Sequence, residues 1–163
     1  MSIEGRDAMN EEELKSLWER HRQRGGIIRS WEEWKDKVGK AYIELIKIAK
    51  EVPYDQMRIT YGQLGTRIGL YPLSELFQLK IGHIVGACSV YEYEHDRPLI
   101  SALVVNEETN RPGKGFWGLP VPPYLRKNIG IEDATPFKLD EGRENFWIDQ
   151  LKQIDKCWKA KEK

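Results

Sequence analysis

The residues with the widest chemical potential lie in the acidic stretch YEYEHD, which spans residues 91–96. Glu92, Glu94, His95 and Asp96 offer three carboxylates and one imidazole, and such groups can hold a divalent metal for phosphodiester hydrolysis. Neither a D…ExK spacing nor an HxxxH pair accompanies them. The stretch therefore favours a solvated helix end over a nuclease centre, and we predict no catalytic residue, metal or cofactor.

Thiol chemistry has two candidates, Cys88 and Cys157, which lie in unlike contexts without a CxxC or Cys/His spacing. Isolated cysteines of this kind are typical of reduced, partly buried thiols in the cytoplasm rather than of a disulfide or zinc site. His21 and His95 likewise have no recognisable partner in the sequence.

The loop NEETNRPGKGFW, residues 106–117, has a composition that could approach a ligand. Arg111 and Lys114 lie among a proline and glycines, which would let backbone amides come close to a phosphate. Trp117 stands at the end of the loop, where it either stacks on a base or packs in the core. Because two glutamates in the loop oppose its positive charge, a binding loop and an unliganded hairpin turn both stay open.

Composition predicts one soluble globular domain, since 40% of the 163 residues are apolar and 32% are charged. The 26 basic and 26 acidic residues argue against a strong non-specific nucleic-acid binder but allow a local basic face. Without a membrane-length apolar run or a secretion signal, we expect a cytoplasmic protein with no membrane contact. Residues 1–9 contain the protease-site-like string IEGR, so we read them as an added or disordered start.

Two helices are predicted in the first third of the chain, residues 10–51. Residues 10–23 carry acids in the first turn and bases in the last, which suits the helix dipole. Ser30 and Glu33 form the pattern of a capping box, and apolar residues at helical spacing extend from there to about residue 50. Together they form an N-terminal helical pair.

A second pair of helices, a strand and a loop are predicted over residues 52–119. Thr60 and Gln63 form another capping-box pattern, and Gly69 ends the short helix that follows. After a tight connection, residues 74–94 read as the second helix of a helix-turn-helix. The stretch LISALVV at 99–105 reads as a strand, and FWGL at 116–119 reads as its return strand across the loop.

A proline-rich loop and a C-terminal helix from about residue 140 complete the chain over residues 120–163. Trp147 and Trp158 fall on the inward face of this helix, as Trp34 does on the earlier one. The predicted fold is therefore α+β and mainly helical. It is a winged helix-turn-helix-like domain with an N-terminal helical pair and a C-terminal helix packed on the same core.

The stretch VPYDQMRITYGQLGTRIGL, residues 52–70, resembles the DNA-binding domain of the O6-alkylguanine-DNA alkyltransferases and the alkyltransferase-like proteins. VPY at 52–54, ITYGQL at 59–64 and HIVGACS at 83–89 follow the family's order, and the similarity extends over residues 52–119. The resemblance implies a winged-helix DNA-binding domain. It places Tyr61 where the family has a tyrosine that helps rotate the nucleotide, and His83 where it has an arginine that enters the DNA stack.

The family's active-site motif PCHRV is absent from this sequence. Ser101 stands at the position of the alkyl-accepting cysteine, and Ala102 stands at that of its histidine. Because alkyl transfer needs an activated thiolate, this departure argues against transferase activity.

The function that we predict is a non-enzymatic nucleic-acid-binding module, with DNA favoured, which presents helix 74–94 to a groove and loop 106–118 as its wing. The predicted contact residues are Tyr61, Gln63, Arg67, Lys80, His83, Arg111, Lys114 and Trp117. One alternative is a nuclease or enzymatic subunit of a defence or restriction system that uses the acidic stretch. Another is a protein-interaction adaptor that binds a partner protein.

Overall fold

The computed structural model describes residues 7–71, 73, 76–113, 116 and 141–159. This part of the chain is mainly helical, as predicted, with one small parallel sheet. The elements are α1 (Glu11–Gln23), α2 (Trp31–Glu51), β1 (Ile59–Thr60), α3 (Tyr61–Ile68), α4 (Phe77–Glu94), β2 (Val104–Val105) and α5 (Glu141–Lys159), with 3-10 turns at Tyr54–Gln56 and Ile100–Leu103. None of the helices in these residues is long and apolar enough to cross a membrane.

Helix α2 is the centre of the fold, and it contacts α1, α3, α4 and α5. Its buried side chains recur at helical spacing, so one face of the helix enters the core along most of its length. Trp34, Trp147 and Trp158 are buried, as predicted. The indole nitrogens of the first two donate hydrogen bonds to the carbonyl oxygens of Leu14 and Ala102, at 3.1 and 2.8 Å. These bonds fix the orientation of two large core side chains.

The capping patterns predicted for α2 and α3 have different outcomes. The box at α3 is confirmed, because Thr60 Oγ1 accepts from the Gln63 amide and Gln63 Oε1 accepts from the Thr60 amide. At α2 only half of the box forms, since Ser30 Oγ accepts from the Glu33 amide at 3.2 Å. The Glu33 carboxylate binds Lys80 of α4 instead. A tertiary ion pair has replaced the local bond.

The strand predicted at 99–105 is wrong over most of its length. Residues 100–103 form a 3-10 turn, and only β2 is extended, paired in parallel with β1 so that Ile59 lies opposite Val104. The backbone amides find side-chain partners. The Ser101 amide donates to Ser89 Oγ at 2.8 Å, and the Leu99 amide donates to Gln150 Oε1 at 2.8 Å. Because α4 and α5 satisfy these donors, the segment needs no neighbouring strand.

The predicted return strand FWGL is described only at Phe116, where the backbone is helical and the amide donates to the Gly113 carbonyl oxygen. Residues 117–119 lie outside the described residues. The turn before Phe116 closes on itself, since the Asn106 amide donates to the Arg111 carbonyl oxygen at 2.9 Å. In the described residues β2 therefore pairs with β1, and a two-stranded wing stays a prediction.

Candidate nucleic-acid interface

Tyr61, the first residue of α3, is a buried anchor rather than an exposed contact. Its hydroxyl oxygen accepts a hydrogen bond from the Gly113 amide at 2.9 Å. Burial raises the pKa of the Tyr61 phenol, so the ring stays neutral. A Cβ at Gly113 would lie 3.2 Å from the Tyr61 hydroxyl, and the glycine thus permits the close approach. The contact ties the turn 106–113 to α3.

Gln63 is exposed, but its carbonyl oxygen is held by the Thr60 amide at 3.0 Å. That oxygen belongs to the capping box and therefore stabilises the start of α3. Reading an adenine edge requires both the oxygen and the nitrogen of the amide. Gln63 would have to release the cap before it could make that bidentate contact.

The three described cations predicted to hold phosphate each lie against a carboxylate. The pairs are Arg67 with Glu44 at 3.5 Å, Lys80 with Glu33 at 2.9 Å, and Arg111 with Glu144 at 2.8 Å. Arg67 is 52% exposed, and such surface pairs contribute only about 0–1 kcal/mol, so it can exchange partners. The Arg111 guanidinium also lies over the Trp147 ring at 4.9 Å. A nucleic acid would have to compete with these carboxylates.

His83 lies on the outward side of α4, where its ring meets the edge of the His21 ring at 5.1 Å. Burial and the charge of Arg24 lower the pKa of His83, which favours the neutral imidazole. His83 therefore supplies a ring and hydrogen-bonding nitrogens near neutral pH, without a permanent charge.

His21 has the partners that the sequence did not reveal. Its buried Nε2 accepts a hydrogen bond from the Ile28 amide at 3.1 Å, and its ring lies on the Trp34 ring at 4.4 Å. Burial, the His83 ring when it is protonated, and the charge of Arg24 lower the pKa of His21. The neutral ring therefore fastens the α1–α2 connector to the core.

Lys114 and Trp117, the remaining predicted contacts, lie outside the described residues. The turn that leads to them is closed by Asn110, whose amide donates to the Asn106 carbonyl oxygen at 2.8 Å and whose φ is +56°. Asparagine tolerates this left-handed conformation better than most residues. The two asparagines therefore stabilise the turn, one through its carbonyl oxygen and the other through its left-handed backbone.

The acidic stretch does not form a common site, and the prediction of a solvated helix end is wrong for Glu92. This carboxylate is 0% exposed and accepts hydrogen bonds from the Arg97 guanidinium and the Tyr42 hydroxyl. Glu94 pairs instead with Arg20 at 2.7 Å. Among the residues that the structure describes, no group of three or more His, Cys, Asp or Glu could hold a metal.

The positions that resemble the alkyltransferase active site are buried. Ser101 is buried and its hydroxyl lies 2.6 Å from the Ser89 hydroxyl, while Ala102 is fully enclosed. Burial also raises the pKa of the Cys88 thiol, which keeps it protonated. These residues pack β2 and the 3-10 turn against α4.

An exposed apolar surface before and at the start of α4 was missed by the sequence analysis. Its members are Tyr71, Leu73, Leu76 and Leu79, which are 67%, 82%, 44% and 56% exposed. The signal was present in the string LYPLSELFQL, where apolar residues are too frequent for one face of a helix to bury. Clustered apolar exposure of this kind is typical of a contact surface.

The comparisons with known proteins add no relative. No protein-family model, curated protein or solved structure matches the chain. The resemblance to the alkyltransferases therefore depends only on the short motifs quoted above.

Proposed function

We propose that this protein is a non-enzymatic nucleic-acid-binding module, with DNA the favoured partner, which contacts its ligand through the outward side of α4 and the turn 106–113. The observation that carries the proposal is that α4 has no side chain at Gly82 and that the space above this position is open. A Cβ built at Gly82 meets no atom within 4 Å, so the backbone of α4 is open to an approaching ligand at this position.

Helix α3 packs closely against α4. A Cβ at Gly65 of α3 would lie 2.4 Å from the Phe77 ring, so α3 approaches the first turn of α4 closely. The turn 106–113 is tied to α3 through Tyr61 and Gly113. Helix α4 and the turn 106–113 are therefore both packed on α3. This shared support favours the proposal that they bind the same ligand.

The charges around α4 predict modest, salt-sensitive binding. If Arg67, Lys80 and Arg111 exchange their carboxylate partners for three phosphates, log K should fall with log salt at a slope of about −2.7 for duplex DNA. Competition from the paired carboxylates lowers the affinity without changing the number of phosphates contacted.

Fluorescence anisotropy with a labelled 20-base-pair duplex tests the proposal at low salt. Gly82→Glu adds bulk and negative charge in open space, so the fold should be retained while DNA affinity falls about tenfold or more. Gln56→Glu in the exposed part of the 3-10 turn 54–56 adds a matched carboxylate as the control and should leave affinity nearly unchanged. No measurable binding of duplex or single-stranded DNA by the unaltered protein would refute the proposed function.

A protein-interaction adaptor is the second candidate, favoured by the exposed apolar surface of Tyr71, Leu73, Leu76 and Leu79. Apolar contacts persist at high salt, whereas phosphate contacts weaken. Association that survives 0.5 M salt and is lost on Tyr71→Ser with Leu73→Ser, both of which lie before α4, would favour the adaptor. The same double substitution should leave DNA binding intact if the nucleic-acid proposal is correct.

A further inference from the structure

The connector between α1 and α2 is a strongly basic segment. No acidic residue occurs from Arg20 to Trp31, and the same stretch contains Arg22, Arg24 and Arg29. The chain as a whole is formally neutral. Positive charge is therefore locally concentrated in a region that contains none of the sequence motifs.

The connector arginines differ from the predicted phosphate contacts in their pairing. Arg24 and Arg29 are exposed, and neither forms an ion pair with a carboxylate of the described residues. Arg22 is 60% exposed, and its guanidinium lies 3.8 Å from the Glu19 carboxylate, which makes a loose ion pair. Arg67, Lys80 and Arg111 are all engaged by carboxylates. An incoming anion meets the connector without having to displace an acid.

The connector is held beside α4 by a tight contact. Ile28 is buried, and its amide donates to the His21 ring, which in turn meets His83 of α4. A Cβ at Gly26 would lie 2.2 Å from the His21 ring, so the backbone passes directly against it. Arg24 is close enough to His83 for its charge to act on that ring. Arg24 and the outward side of α4 therefore border one surface, and Arg29 follows five residues later in the same connector.

We propose that Arg24 and Arg29 of the α1–α2 connector, with His83 of α4, form a further phosphodiester-binding surface of this protein. The proposal rests on the proposed nucleic-acid function and names the groups that hold the backbone of the ligand. A guanidinium offers a planar fork of N–H donors that matches two phosphate oxygens. The His83 imidazole adds a neutral hydrogen bond at the junction between the connector and α4.

A charge-matched pair of double variants tests the assignment by duplex anisotropy over a salt series. Arg24→Ala with Arg29→Ala removes two exposed cations and should weaken binding at least tenfold. The salt slope should become less negative by about 1.8, which corresponds to two lost phosphate contacts. Lys152→Ala with Lys156→Ala removes the same charge from exposed positions of α5 and should change affinity less than twofold. Circular dichroism checks that both variants fold.

The outcomes separate this inference from the proposed function. If the unaltered protein binds duplex DNA and the connector variant keeps its affinity and slope, the inference fails while the proposed function stands. Equal losses in the two double variants would also overturn it, since the effect would then follow net charge alone. If duplex DNA is not bound at all, both proposals fail. Binding to vesicles with 30% anionic lipid, but not to DNA, would reassign the surface to membranes and overturn the inference.

Discussion

The buried ion pair between Glu92 and Arg97 provides a quantitative test of the contacts that fix the end of α4 to the rest of the fold. Arg97 Nε and NH2 donate to both oxygens of the Glu92 carboxylate at 2.9–3.1 Å, and the Tyr42 hydroxyl of α2 donates to the same carboxylate. The guanidinium also lies over the rings of Tyr91 and Trp158, at 5.6 and 5.7 Å. The pair thus joins the end of α4 to α2 and α5.

Arg97→Met removes the positive charge while it keeps most of the aliphatic stem. The Glu92 carboxylate is 0% exposed and the Arg97 side chain is 12% exposed, so water cannot replace the guanidinium without rearrangement. Removing one partner of such a pair costs about 3–5 kcal/mol in the free energy of unfolding. For a chain of this size each kcal/mol lowers Tm by about 2–4 °C, which predicts a loss of about 6–20 °C.

Urea denaturation of four proteins measures this effect as a double-mutant cycle: the unaltered chain, Arg97→Met, Glu92→Met and the double variant. Because replacing both charges by apolar side chains avoids a buried lone charge, the double variant should be more stable than Arg97→Met alone. The coupling free energy should reach about 2 kcal/mol or more. A loss below 1 kcal/mol in Arg97→Met, or losses that simply add in the double variant, would refute the reasoning.

Three further predictions concern the connector and the turn. Gly26→Ala should destabilise the fold by about 1–3 kcal/mol because its Cβ enters the His21 ring, and in thermal melts the same substitution should cost much less in a His21→Ala background. Tyr61→Phe removes the acceptor of the Gly113 amide, so hydrogen exchange at that amide should accelerate and stability should fall by about 0.5–1.5 kcal/mol. Because the folded pKa values of His21 and His83 lie below the usual value, the unfolded chain takes up protons first on acidification. The stability that these two neutral rings contribute should be complete above about pH 6.5, and it should be lost as the pH falls through their pKa values in the folded protein. His21→Gln should reduce this pH dependence of the free energy of unfolding in urea denaturation.

Local signals in the sequence were sufficient for most of the helical framework. The extent of α2 followed from apolar spacing, and the start and end of α3 followed from Thr60, Gln63 and Gly69. These signals act over three or four residues, the range over which caps and helical faces are determined. Such features can be predicted without knowledge of the tertiary structure.

The prediction of a strand at 99–105 was wrong because the groups that bind its backbone amides are distant in the chain. Apolar β-branched residues predicted a strand, but Ser89 and Gln150 supply acceptors for its amides from two different helices. The prediction that Glu92 is solvated was wrong for a similar reason, since its partner Tyr42 lies 50 residues away along the chain. Side-chain bonds over such separations leave no periodic signal in the sequence.

The candidate site shows why a count of charges along a motif is a poor guide to a binding surface. Lys80 and Arg67 lie where the helix-turn-helix pattern would place phosphate contacts, yet carboxylates of α2 neutralise both. Arg24 and Arg29 belong to no motif, and the fold leaves both exposed without a described acidic partner. The field that a polyanion meets depends on which cations the folded chain has already paired. We therefore expect a phosphate backbone to be attracted more readily by the unpaired connector arginines than by the paired Arg67 and Lys80.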